Sequence, residues 1–258
     1  MLVHLGSPPL ATRTPSSRHV QLLEKQVRAD ASALSLVTLR FLTQSALPVI
    51  FPQYLVALYH SMRTAGAVME AARARSVSLA AVCPVAARLA PYWTRHIREE
   101  AGHDEWVLGD LTRLGVDADS VRSSIPTPEV AELMGTLHFW IQHVHPIAAL
   151  SYFYVGESNP PTVQLVEWIV QTRGIPREAL QTFLRHASID ARHGRELEQL
   201  IDSLPLTKVH VELMALSAKT VMRQLCRIYE AFIVNSKARM AMPRRERGHK
   251  RTRATTRK

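Results

Sequence analysis

The sequence predicts an all-α protein that folds as a single bundle of seven to eight helices. From His19 onward the apolar residues mostly recur with a helical period, and no convincing segment alternates with the two-residue period of a strand. The 258 residues include only 10 glycines and 6% aromatic residues, which argues against a β domain. Because 47% of the residues are hydrophobic, the chain can bury a full core.

The first half of the chain is expected to form three main helices. The first begins near His19 and is followed by a break at two prolines, and the second spans residues 54–74. A stretch rich in Val, Ala and Leu follows and is interrupted by proline. The third helix is predicted over residues 92–114, because Arg113 lies in its last turn and Gly115 follows it.

The second half of the chain is expected to continue the bundle. Thr127 and the proline after it are typical of an N-cap and a first helical position. This helix should run to about His145, bend at the next proline and continue to Glu157. Another helix is predicted over residues 176–203, and Thr207 begins a last long helix. Connections this short are typical of helical bundles.

The positive charge of the chain is concentrated at its C-terminal end. Residues 243–258 contain eight basic residues and one acidic residue, a charge of +7 that leaves +3 for the other 242 residues. We therefore expect a flexible leader over residues 1–17, one helical domain over residues 18–242 and a basic disordered tail over residues 243–258. Nucleic acid or another acidic surface is the class of partner that such a tail can contact.

Cysteine usage and hydropathy exclude several other classes of protein. Cys83 and Cys226 lie far apart and no CxxC pair exists, so neither a disulfide framework nor a zinc-thiolate site is expected. No apolar run reaches the length of a transmembrane segment. The N-terminus lacks the basic and apolar regions of a secretion signal, and we expect a cytoplasmic protein.

Four metal-competent side chains occur close together in the segment YWTRHIREEAGHDEW. On a helical wheel, His96, Glu99, Glu100 and His103 share one face, which is edged by two tryptophans. A polar stripe edged by tryptophan suits a polar site inside a helical core. A solvent-exposed helix face is the alternative.

Two further segments supply side chains of the same chemical types. In LRHASIDARHGREL, three of them align over two helical turns. Glu157 ends the aromatic segment SYFYVGE and is expected at the rim of a buried helix. Helix-borne carboxylates and imidazoles that project into a bundle core are how proteins build two-metal, oxygen-activating sites. The predicted metal ligands are Glu100, His103, Glu157, His186, Asp190 and His193.

These motifs, in this order, resemble the haem-oxygenase-like diiron oxidases, the branch called iron-containing redox enzymes. The similarity rests on EEAGHDEW followed by LGDLTRLG, a lone glutamate before a Pro-Pro turn, and H-x3-D-x2-H, and it covers about residues 54–201. The resemblance implies a haem-oxygenase-like fold with two bound iron ions, manganese being an alternative at one position. It also implies O2 as cosubstrate and a small organic acid, amine or lipid-like substrate.

The first carboxylate ligand is the point where this sequence departs from the family. Many members place a glutamate seven residues before the histidine, where this chain has His96. Other members place it three residues before, which here is Glu100, and we expect Glu100 with Glu99 or His96 as alternatives. We assign Glu100, His103 and His193 to one iron, and the other three predicted ligands to the second.

Two other functions remain open at the level of sequence. The chain can be a metal-free helical protein on the same fold that binds a small ligand, or a partner through its basic tail. A homodimer is one arrangement that an exposed helix face permits. A thiaminase-like hydrolase would need a nucleophilic cysteine, but neither Cys83 nor Cys226 has an evident base beside it in the sequence.

Overall fold

The computed structural model describes the backbone of residues 18–241 and the side chains of residues 19–234. Within this range the regular structure is entirely helical, so the predicted all-α class is confirmed. The predicted leader and basic tail lie outside the described residues. The α-helices are α1 (Arg18–Thr43), α2 (Leu47–Leu79), α3 (Pro84–Glu100), α4 (His103–Arg113), α5 (Ala118–Arg122), α6 (Pro128–His143), α7 (Leu150–Glu157), α8 (Val163–Arg173), α9 (Gln181–Ser203) and α10 (Lys208–Ala241).

The bundle is organised around α2 and α10, its two longest helices. α1 packs mainly on α10, while α2 packs on α3, α4 and α6. Between these layers, Phe41 of α1 meets Tyr54 of α2 and Tyr229 of α10, with ring centroids 5.0 and 5.2 Å apart. Short 3-10 helices precede α7 and α9. None of the helices in the described range is long and apolar enough to cross a membrane.

The prolines near the start of α2 do not break the chain as predicted. α2 begins at Leu47, so Pro48 lies in its first turn, where a missing N–H has no helical acceptor to lose. Pro52 lies inside the helix, which nevertheless continues to Leu79 and has 33 residues in all. The predicted start at Tyr54 is therefore seven residues late, because a proline near a helix N-terminus costs far less than one in its middle.

The predicted helix over residues 92–114 is wrong in one respect that matters for the site. α3 ends at Glu100, and Gly102 adopts a left-handed conformation with φ of +86° before α4 begins at His103. A residue with a side chain rarely adopts this conformation, so glycine allows the break. Glu100 and His103 therefore belong to different helices, and the helical wheel that joined them does not apply.

Sequence analysis missed α8, which begins just after the Pro-Pro turn. Its signals are ordinary: the Thr162 side chain accepts the Leu165 N–H at 3.1 Å, and Gly174 ends the helix with φ of +67°. The predicted helix over residues 176–203 starts instead as a 3-10 turn and becomes α9 at Gln181.

Candidate metal centre

The six predicted ligands come from the adjoining ends of α3 and α4, the end of α7 and the middle of α9. His103, Glu157, His186, Asp190 and His193 are all buried, with at most 9% of each residue exposed. Side chains of this polarity are seldom buried in a bundle core unless they are paired or bind a metal.

Glu100 lies between two imidazoles and faces each with a different oxygen. Its Oε2 atom is 2.9 Å from Nδ1 of His103, and its Oε1 atom is 3.2 Å from Nδ1 of His193. Because its two oxygens face different imidazoles, Glu100 would be able to reach two metal ions, one held by each histidine.

Two groups of ligand-type atoms meet at Glu100, and within each group all atoms lie within 4.8 Å of one another. This grouping differs from the predicted division, because His103 sits with His186 rather than with His193. Asp190 belongs to neither group, although it lies on α9 between His186 and His193. The first group is His96, Glu100, Glu157 and His193, and the second is Glu100, His103 and His186.

His96 is the alternative ligand that the structure brings into the centre. Only 2% of this residue is exposed, and its Nε2 atom lies 3.1 Å from Oε1 of Glu157. The ring is held by Tyr92, which stacks on it at 5.2 Å, and by the edge of Phe153 at 4.9 Å. The side chain therefore points into the site because its helix turn and its aromatic neighbours both fix it there.

Several buried atoms of the centre approach each other without forming hydrogen bonds. Nε2 of His96, Nδ1 of His103, Nδ1 of His193 and Oε2 of Glu157 have no hydrogen-bond partner. Each such atom costs about 1–3 kcal/mol when it is left unsatisfied. Lone pairs that converge but do not pair with one another suit a shared cation, so the residues present fit bound metal ions.

A hydrogen bond from Nδ1 of His186 leaves its other ring nitrogen, Nε2, free to bind a metal. Its Nδ1 atom lies 2.8 Å from the Thr182 carbonyl oxygen, which can only accept, so Nδ1 carries the proton and Nε2 keeps a free lone pair. Thr182 is anchored in turn, because its N–H donates to Asp110 at 2.8 Å. Asp110 is fully buried and also accepts the Gln181 N–H at 3.1 Å, which caps α9 from α4.

Aromatic residues close the centre on the side of α4. Trp106 stacks on His103 with ring centroids 3.9 Å apart and meets the His186 ring at 5.6 Å. The Arg185 guanidinium lies 4.8 Å from the centroid of the same indole. The predicted tryptophan edge is therefore present here, and it keeps both imidazoles away from bulk water.

The carboxylates of the centre differ in how readily they ionise. Burial alone would raise the pKa of Glu100, but its contacts with His103 and His193 hold that pKa well below the usual range. Burial raises the pKa of Glu157 despite the nearby His96. Burial, together with the charges of Glu157 and Glu100, raises the pKa of Asp190 to about 7. Without a cation, burial thus opposes the ionisation of Glu157 and Asp190, and the neighbouring carboxylates add to this effect.

Gly194 is a positioning residue that the sequence did not single out. A Cβ atom at this place would lie 2.7 Å from the carbonyl oxygen of Glu157 and 3.6 Å from Cα of Ser158. The missing side chain lets the end of α7 approach α9 closely enough to set Glu157 beside His193. The sequence feature that could have indicated this role is a glycine directly after the last histidine of the H-x3-D-x2-H motif.

A separate group of ligand-type residues lies at the other end of α3. Cys83 precedes this helix, so it lies about 25 Å from Glu100. Its sulfur is 3.4 Å from Nε2 of His145, so an imidazole lies beside this cysteine in space, although not in the sequence. Nδ1 of His145 accepts the Ile147 N–H at 3.2 Å, which places the ring proton on Nε2, toward the sulfur. His210 completes the group, its ring 4.8 Å from that of His145.

The chain matches a known protein family over most of its length. Residues 53–225, about two thirds of the chain, match the family described as iron-containing redox enzyme. The chain belongs to this family. The match contains every residue of both ligand groups, and it confirms the family that the motifs indicated. No curated protein matches the chain significantly.

Solved structures confirm the haem-oxygenase-like fold of this family member. A domain of unknown function with a heme oxygenase-like fold from Shewanella denitrificans is similar, with a TM-score of 0.72 and 19% identity over 87% of this chain and 96% of that one. A TenA homologue from Pseudomonas syringae pv. tomato has a TM-score of 0.65 and 14% identity over 84% of this chain and 93% of that one. At these identities the likeness concerns the fold alone.

Proposed function

We propose that the protein is an oxygen-dependent, non-haem diiron oxidase or oxygenase that acts on a small organic acid, amine or lipid-like metabolite. The observation that supports this most strongly is Glu100, which is shared between two groups of ligand-type atoms. One ion would be held by His96, Glu157 and His193, and the other by His103 and His186, with Glu100 common to both. Manganese is an alternative at one position, since carboxylate and imidazole suit both metals.

The charge balance of the centre supports two divalent cations. Two Fe(II) ions bring +4, and the carboxylates of Glu100, Glu157 and Asp190 bring −3. The small residual charge is one that a buried site can tolerate, whereas three carboxylates without a cation repel one another. The raised pKa values of Glu157 and Asp190 reflect that repulsion together with burial.

The iron pair, when bound, supplies electrons for the reduction of oxygen and open positions for oxygen and substrate. The side chains around the centre position the ligands, exclude water and can hold a proton. Thr182 holds His186 in the tautomer that leaves Nε2 free, and Asp110 holds Thr182 in place. Trp106 excludes water from the imidazoles of His103 and His186. Asp190, with its pKa near 7, is a buried carboxyl that can hold or release a proton close to both ligand groups.

An anaerobic Fe(II) titration followed by oxygen exposure tests this function. We expect about two irons per chain and a transient visible absorption band in stopped-flow measurements. In Glu100→Gln, both ligand groups lose their common carboxylate, so iron uptake should fall below one per chain. The exposed Glu178, changed to Gln, is the matched control and should retain the wild-type stoichiometry.

The competing function, a metal-free ligand-binding or partner-binding protein, predicts a different result. Wild type and Glu100→Gln would then both take up no specific iron, and oxygen would produce no transient band. Circular dichroism of both variants separates this outcome from misfolding, since helical content should be the same in each.

A further inference from the structure

A cleft of about 560 Å3 lies between α3 and α9, directly beside the candidate metal centre. Tyr92 and Glu99 belong to the walls of both. Tyr92 stacks on His96, and the Oε2 atom of Glu99 lies 3.7 Å from Nδ1 of His96 and 3.8 Å from Nε2 of His193. A molecule in the cleft would therefore be separated from the ligand imidazoles by these two side chains.

The rim of the cleft is rich in arginine. Arg88, Arg95 and Arg192 line it, against two acidic residues, Glu99 and Glu196. The local formal charge is thus +1, and one of the two acids already faces the imidazoles of the metal centre. The cleft carries one positive charge more than its own side chains neutralise.

Two of these arginines share the same two glutamates. Arg95 lies 3.2 Å from Glu196 and 3.7 Å from Glu99, while Arg192 lies 3.3 Å and 3.6 Å from the same two residues. Both arginine side chains are more than half exposed. Ion pairs at that exposure contribute at most about 1 kcal/mol, so an incoming anion can replace Glu196 at little cost.

Arg192 also links the cleft to a candidate ligand. One of its terminal nitrogens lies 3.2 Å from Nε2 of His193. An anion held by Arg192 would therefore lie next to the ring whose other nitrogen faces Glu100. The lining of the cleft also includes Pro91 and Leu200, which offer apolar surface to a carbon chain.

We propose that this cleft binds an organic molecule through its carboxylate, which Arg95 and Arg192 hold in place of Glu196. The inference rests on the proposed function and narrows its substrate class to carboxylates. A pair of guanidinium groups matches the two oxygens of a carboxylate, and a monoanion balances the single excess charge. A phosphate dianion would leave the cleft negatively charged beside Glu99.

Calorimetric titration of the full chain with hexanoate, hexanamide and inorganic phosphate tests the proposal. Hexanamide has nearly the shape of hexanoate without its charge, so we expect hexanoate to bind about tenfold more tightly. Phosphate should bind no more tightly than hexanoate. In the double variant R95Q/R192Q the preference for hexanoate over hexanamide should disappear.

A variant that should bind hexanoate more tightly distinguishes anion binding by the two arginines from a merely structural ion-pair network. In Glu196→Gln the competing carboxylate is removed, so hexanoate should bind about threefold to tenfold more tightly. Arg223→Gln is the control, because Arg223 is exposed and pairs with Asp30 of α1, far from the cleft in the packing of the bundle. It should leave the affinity for hexanoate unchanged.

Equal binding of hexanoate and hexanamide, tighter binding of phosphate, or weaker binding of hexanoate to Glu196→Gln would each overturn the proposal. Iron uptake, measured separately on the wild type, distinguishes its failure from that of the proposed function. Selective hexanoate binding without iron uptake would support the carboxylate-binding cleft and contradict the proposed diiron site. Iron uptake without selective hexanoate binding would support the diiron site and contradict the carboxylate-binding cleft.

Discussion

The two ends of α3 both carry side chains of the types that bind metals, but in different states. At the C-terminal end, ring nitrogens of His96 and His103 are buried without hydrogen-bond partners around Glu100. At the N-terminal end, Nδ1 of His145 already accepts a backbone N–H, and its Nε2 faces the sulfur of Cys83. Residue types alone therefore do not indicate a metal centre. Unsatisfied lone pairs and buried carboxylates that lie close together favour one.

Among the variants that test the contrast between the two ends of α3, Asp190→Asn should have the largest effect on stability. Its pKa of about 7 exceeds the ordinary value of 3.8, so the folded state binds more protons than the unfolded state between about pH 4 and pH 7. The free energy of unfolding of the metal-free protein therefore falls progressively as the pH rises across that range. Asp190→Asn removes the penalty and should be more stable than wild type by about 4 kcal/mol at pH 8, with little difference at pH 4.

Urea denaturation in the presence of a chelator, at pH 4, 6 and 8, measures this difference. The exposed Asp119, changed to Asn, serves as the control for the chemical change itself. A stability difference for Asp190→Asn that is the same at all three pH values would mean that the pKa of Asp190 is not raised in the folded state.

Asp110 tests whether the metal-centre end of the bundle is built around the start of α9. Asp110→Ala leaves the N–H groups of Gln181 and Thr182 without their acceptor in a buried place. We expect a loss of about 2–3 kcal/mol in the free energy of unfolding. Asp117→Ala removes the exposed cap of the short helix α5 and should cost less, about 1 kcal/mol. Equal losses in the two variants would contradict a special role for Asp110.

Gly194 tests the close approach of α7 and α9. Gly194→Ala places a Cβ atom against the Glu157 backbone, so we expect a loss of about 1–3 kcal/mol in stability and weaker iron binding. Gly135 lies in a helix with open space around it, and Gly135→Ala should instead stabilise the protein by about 0.5–1 kcal/mol. Thermal unfolding and iron titration of both variants make the comparison. Unchanged iron affinity in Gly194→Ala would show that Glu157 need not be held so closely.

The smallest effect is expected at the other end of α3. Cys83→Ser keeps the size of the side chain and leaves the metal centre, about 25 Å away, untouched. We expect the same number of irons per chain as in wild type by anaerobic titration. A loss of one iron would show that the Cys83 group binds metal and that the contrast between the two ends is mistaken.

The sequence predicted the class of the fold and indicated the candidate ligands because both depend on short-range patterns. Helical periodicity follows from the spacing of apolar residues, and H-x3-D-x2-H lies within one helix, α9, where wheel geometry holds. The wheel failed between Glu100 and His103 because the conformation of Gly102 depends on packing as well as on its residue type. Their side chains nevertheless meet across the break, at 2.9 Å.

The remaining parts of the centre depend on contacts between distant segments. Asp110 and Thr182 are 72 residues apart, and no local pattern indicates that one caps the helix of the other. The place of Gly194 against Glu157 is visible only when α7 and α9 are packed together. The pairing of His96 with Glu157 has the same origin, which is why His96 entered the sequence analysis only as an alternative ligand.

Anomalous diffraction from crystals of the chain soaked anaerobically with Fe(II) tests the central claim most directly. We expect two separate peaks, one in each ligand group, with the Glu100 carboxylate between them. One peak would lie by His193 and Glu157, and the other by His103 and His186. A single peak, or a peak at Cys83 with none at Glu100, would contradict it.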